Sequence, residues 1–287
     1  MDLTQGDIKK QLIGMAVPAG TGLLFYTLYN VVDTFYAGLI STEAIAGLSI
    51  SYPLYFILLA FAVGFGQGAT ALVSIAIGKK KLNEAMKIHI QALLITLLIS
   101  IAIGLATYLL SKPVFLYFGA DGIFLNNGLK YIKVLSIGAP IFIVSFVVNS
   151  LLYAQGDTKS YRNVLIFTFF LNIILNPIFI FGFFVIPAFG ISGIAIATVI
   201  CQLIGTIYLA QKVYCCKLKE YLHAKCFIPK INFLSNLTFQ SVPIMFSMLL
   251  IGVGIFNVLY FVGKFGDIAA AGYGAALRIE QVFLLPV

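Results

Sequence analysis

The sequence predicts an all-α polytopic membrane protein, and three observations carry that expectation. Of its 287 residues 61% are hydrophobic and only 10% charged, with a mean hydropathy of +1.05. Soluble domains are about 45–50% apolar and about 25% charged, because a compact fold still needs a polar skin. Cutting the chain at charged and Gly/Pro clusters leaves apolar stretches near 12–39, 45–77, 88–111, 131–154, 163–186, 189–211, 237–262 and 268–287. Each suits a helix crossing a hydrocarbon core of about 30 Å. No alternating ten-residue pattern of the outer-membrane barrel kind is present.

The first stretch follows a polar start, MDLTQGDIKK, and is too long for a signal peptide, so it is retained as helix one. Basic residues orient the rest. Lys9 and Lys10, Lys79 to Lys81 with Lys87, Lys159 with Arg162, and Lys212, Lys217, Lys219, Lys225 and Lys230 share one side. The other side holds Lys112, Lys130, Lys133 and Lys264. Basic loops stay in the cytoplasm, which predicts a cytoplasmic N-terminus and explains the formal charge of +8 without a nucleic-acid partner. Cys215, Cys216 and Cys226 fall in the lysine-rich loop and Cys201 in an apolar run, as expected of reduced thiols.

A repeat runs at an offset of 225 residues: Val17-Pro18 matches Val242-Pro243, Gly38 matches Gly263, and Ala44, Ala46 and Gly47 match Ala269, Ala271 and Gly272. Helix seven therefore reads as a second copy of helix one. The predicted division is a six-helix bundle with its following loop over 1–225, and the first two helices of a second bundle over 226–287.

A carboxylate within hydrocarbon is expensive, which makes intramembrane acids functional candidates. Asp33 is the foremost, in LYNVVDTFYAG, and helical spacing puts Gly22, Tyr26 and Tyr29 on its face. In LNIILNPIF, Asn172 and Asn176 share a face, and Pro177 leaves the Ile173 carbonyl without its helical donor. Two amide oxygens and a free carbonyl at one depth suit a sodium ion, or a hydrogen-bond network around a protonated acid. Thr198 and Gln202 are four apart on helix six and are candidates to join them. Gly64 with Gly68, and Gly193 with Ala197, have the spacing that lets helices approach closely. Pro18, Pro53, Pro140 and Pro243 are bend points. Arg278 and Glu280 are two apart and face different ways, and His89 is expected at the interface where helix three opens. Cys215, Cys216, His223 and Cys226 lack paired ligand spacing, so no metal site is expected. With two histidines and no nucleophile or phosphate-loop motif, neither is an enzyme.

The motifs LYNVVDTFYAG with EAIAGLS, GFGQGATALVSIAIGKKK, LLYAQGDTKSYR, LNIILNPIFIFG and GISGIAIAT, in that order, resemble the multidrug and toxic compound extrusion (MATE) transporters, nearest their DinF-like branch. The resemblance implies twelve helices in two six-helix bundles, in a bacterial cytoplasmic membrane. It implies a monomer that exports small lipophilic cations by alternating access, in exchange for H⁺ or Na⁺, with no other cofactor. A chain ending after two helices of the second bundle is then C-terminally truncated. The family's cation site falls on Asp33, Asn172 and Thr198, with Tyr29 beside them, and its second acid falls on Asn176. Losing that acid removes a sodium ligand and favours H⁺. Two alternatives stay open: a lipid-precursor flippase with a cationic cavity, and a receptor or scaffold without transport.

Overall fold

The structure, a computed structural model, describes residues 7–228 and 231–284. Its helices are α1 (Ile8–Ile40), α2 (Thr42–Gly78), α3 (Leu82–Tyr117), α4 (Gly122–Ala154), α5 (Lys159–Phe181), α6 (Ile191–Tyr214), α7 (Ile231–Gly263) and α8 (Asp267–Leu284). Two short 3₁₀ turns, Lys217–Tyr221 and Ala224–Phe227, lie between α6 and α7. Among the described residues the sole β pairing is one isolated bridge, Phe183 with Ile186.

Several helices exceed their apolar stretches because polar turns continue them. A single residue, Ser41, separates α1 from α2: its N–H bonds the Ala37 carbonyl at the end of α1, and its hydroxyl accepts from Ala44 N–H at the start of α2. Asp157 does similar work before α5, accepting from Ser160 N–H at 3.0 Å and from the Ser160 hydroxyl at 2.6 Å. Pro18, Pro53, Pro140 and Pro243 all sit inside helices. The two helices that the repeat relates, α1 and α7, are both 33 residues long.

Seven helices, α1 to α7, are long and apolar enough to cross a membrane. The eighth expected helix is present as α8, which carries Asp267, Arg278 and Glu280 and is described as far as Leu284. α2 and α4 form the interior, buried along most of their apolar length, whereas α3 turns Leu98, Ile101, Leu105 and Leu109 outward. One core cluster joins Ala37, Leu48, Phe115, Ile132 and Ile194 near the lysine-poor face. A second joins Val73, Met86 and Leu151 to Leu218 and Cys226 of the inter-helix segment near the lysine-rich face. Gln91 of α3 also holds that segment, donating to the Ile228 carbonyl at 2.8 Å.

The small-residue spacings mark close crossings. A β-carbon on Gly64 or Gly68 would collide with Met245 or Ser241 of α7, so α2 meets α7 there. One on Gly193 would lie 2.5 Å from the Phe179 backbone, which fixes how closely α6 crosses the end of α5. His89 departs from expectation. α3 begins at Leu82, so His89 lies two turns inside it, fully buried, with Nδ1 3.4 Å from the Ser150 hydroxyl.

Candidate functional site

Three helices deliver polar groups to one buried point. α1 carries Asp33 in its outer third, 3% exposed. A β-carbon on Gly22, three turns earlier, would lie 3.1 Å from the Leu165 side chain and 3.4 Å from the Arg162 backbone, and its absence lets α5 run close beside α1. α5 then presents Asn172 and Asn176, and α6 presents Thr198, all buried.

The Asn172 amide donates to Asp33 Oδ1 at 3.1 Å and the Asn176 amide to the same oxygen at 3.0 Å. The Asn176 amide is shared with Asn172 Oδ1, also at 3.0 Å, which locks the two asparagines together. The Thr198 hydroxyl donates to Asp33 Oδ2 at 3.2 Å. Tyr29 is buried beside the cluster, one turn before Asp33, with Thr198 and Cys201 as neighbours. By hydrogen-bond geometry the Tyr29 hydroxyl and Asn176 Oδ1 have no partner among the described residues. The three donors to Asp33 that these bonds identify are all neutral groups. All five site residues expected from sequence, Asp33, Tyr29, Asn172, Asn176 and Thr198, thus lie together.

The Ile173 carbonyl freed by Pro177 accepts a hydrogen bond from the Tyr36 hydroxyl at 3.1 Å. The Arg278 side chain lies outside the described residues, and Glu280 is exposed. Cys215 is exposed while Cys226 is buried under the α3 cluster.

The cluster borders a chamber of about 20 Å³, lined by Tyr26, Tyr29, Asn30, Asp33, Tyr55 and Thr198 among others, with room for about one water molecule. Below it lies a vestibule of about 660 Å³ between α1, α2, α4 and α5, in the half nearer the lysine-rich face. Tyr26, Phe146, Tyr153 and Tyr161 provide aromatic walls, with Gln67 and Thr70 as polar groups. Tyr26 and Leu165 line both spaces. Among the described residues neither space is lined by Lys or Arg, and Asp33 is the charged group in their walls. Tyr55, Tyr131, Phe142 and Thr168 were not expected. Only Thr168 had a signal, lying four residues before Asn172 on the stripe that continues to Asn176.

Comparison with known proteins agrees with this architecture. The MatE family model matches residues 18–178, more than half of the chain. A FAD transporter of Shewanella oneidensis is 26% identical over 286 residues, covering 99% of this chain and 63% of its own length. The multidrug export protein MepA of Staphylococcus haemolyticus is 25% identical over 283 residues, covering 96% and 61%. Among solved structures, a MOP superfamily transporter from Pyrococcus furiosus, described as having a binding pocket of reverse polarity that suggests a different function, superposes with a TM-score of 0.85 at 25% identity. That match covers 99% of this chain and 62% of the other. The chain therefore spans under two thirds of the length of these relatives. With the family model covering most of α1 to α5, the chain belongs to the MatE family.

Proposed function

We propose that the protein of which this chain is part exports small lipophilic cations from a bacterial cytoplasm in exchange for protons, with Asp33 as the shared switch. Residues 1–225 form its N-terminal bundle and 226–287 begin the second. The protein acts as a monomer in the cytoplasmic membrane, with the lysine-rich face and the N-terminus inside. The observation that carries this reading is the environment of Asp33: one buried carboxylate, three neutral donors and no basic residue in the walls of either cavity among the described residues.

Such a site takes up a monovalent positive charge readily. Protonation needs no helix movement: the Thr198 hydroxyl can turn from donor to acceptor, and a flip of the Asn176 amide would offer its unpartnered oxygen to the acid proton. Sodium needs several oxygen ligands at once, and both asparagine amides now turn N–H groups toward the carboxylate, which favours H⁺ as coupling ion. The vestibule has a volume suited to a drug-sized ligand, and aromatic faces attract lipophilic cations. An anionic cargo such as a lipid diphosphate, or the FAD named for one relative, would want basic groups in these walls. A receptor without transport would give Asp33 no reason to bear the cost of burial.

The test is equilibrium binding of a fluorescent lipophilic cation to the purified chain across pH and sodium concentration. Proton competition predicts affinity falling as pH falls, indifference to sodium, and loss of the pH dependence in Asp33→Asn. Competition by sodium at constant pH would reassign the ion, and an unchanged Asp33→Asn profile would remove Asp33 from the mechanism.

A further inference from the structure

We propose that the turn joining α5 to α6, residues 182–190, is a lipid anchor seated in the membrane interface on the lysine-poor face. The other turns on that face carry charge: Glu43 follows α1, Asp121 precedes α4, and Lys264 and Asp267 flank the turn between α7 and α8. Residues 163–211 contain no Asp, Glu, Lys or Arg at all.

Length sets the depth of the turn. From Asn163, just past Arg162, α5 runs 19 residues to Phe181, and α6 runs 21 residues from Ile191 to Gln211, just before Lys212. At a helical rise of about 1.5 Å per residue these are about 28 and 32 Å, one hydrocarbon thickness. With Arg162 and Lys212 held among headgroups on the lysine-rich face, the turn arrives at the opposite boundary of the apolar core rather than in water beyond it.

Its side chains and backbone suit that place. Phe184 is 99% exposed and Val185 81%, with Phe181 and Phe183 also exposed. Phe184 adopts a left-handed backbone, φ 54°, uncommon for a bulky residue. A strained turn that displays a phenyl ring is poorly explained by contact with water and well explained by contact with acyl chains. Part of the backbone is meanwhile paired internally, which apolar surroundings favour. Phe183 and Ile186 exchange bonds at 3.1 and 2.9 Å, while Phe189 N–H and Gly190 N–H return to the Phe179 and Ile180 carbonyls at 3.0 and 3.2 Å. The anchor holds the ends of the two helices that carry Asn172, Asn176 and Thr198, and it does not depend on which ion or cargo they serve.

The chain has no tryptophan, so Phe184→Trp creates a single reporter at an already exposed position. The full chain is reconstituted in phosphatidylcholine vesicles with and without brominated acyl chains. The anchor predicts blue-shifted emission, quenched several-fold by bromolipid and insensitive to aqueous iodide. Iodide quenching without bromolipid quenching would overturn it, placing the turn in water. Blue-shifted emission insensitive to both would also overturn it, placing the turn under protein. Val185→Trp provides the same reading if the first variant does not fold.

Discussion

The hydroxyls of Tyr26 and Tyr55 meet 2.9 Å apart, tying α1 to α2 where the chamber beside Asp33 adjoins the vestibule. Tyr26 lines both spaces, and the Tyr55 ring is braced edge-on by Phe142 at 5.8 Å. The pair is positioned to hold the two spaces apart. Tyr26→Phe keeps the ring and removes the bond, worth about 0.5–1.5 kcal/mol, so stopped-flow proton uptake at Asp33 is expected to quicken by about 2- to 10-fold. An unchanged rate would mean that this contact is no barrier.

Tyr36 and Pro177 act on one carbonyl. Tyr36→Phe leaves the Ile173 oxygen without the hydroxyl donor and is expected to lower unfolding stability by about 0.5–1.5 kcal/mol. In a Pro177→Ala background the helix regains an N–H for that carbonyl, so the same substitution is expected to cost close to nothing. A double-mutant cycle followed by denaturant unfolding in micelles measures the difference.

Gly68→Ala places a methyl group in the space of Ser241 and is expected to destabilise the packing of α7 on α2 by about 1–3 kcal/mol. Gly20→Ala meets open space on α1 and is expected to be neutral or stabilising, by up to about 1 kcal/mol. Paired thermal-unfolding curves check the contrast.

Asn176→Asp exchanges an N–H donor on Asp33 for a second carboxylate. Two adjacent acids repel unless a cation or proton lies between them. Binding of a lipophilic cation is therefore expected to become sensitive to sodium in this variant, while the unaltered chain stays insensitive; competition titrations with NaCl, against a choline chloride control, measure it.

Much of the site was legible because helical periodicity is local. The faces of Asp33 with Tyr29 and of Asn172 with Asn176 follow from spacing alone, and Thr198 stood out with Gln202. Tyr55, Tyr131 and Phe142 were not legible, because α2 and α4 are apolar on every side and no pattern says which flank meets α1. The Ile173 carbonyl was correctly read as freed by Pro177, but its taker, Tyr36, lies 137 residues away. His89 was misplaced for a simpler reason: the polar turn from Leu82 to Lys87 reads as loop, yet it is the start of α3.

The decisive experiment counts protons. Isothermal titration of a lipophilic cation into the purified chain, in two buffers of different ionisation enthalpy, gives the number of protons released per ligand bound. At a pH where Asp33 is protonated, release approaching one proton in the unaltered chain and none in Asp33→Asn is the predicted result. Saturable binding with equal release in both would contradict the assignment of Asp33 as the shared proton and cation switch.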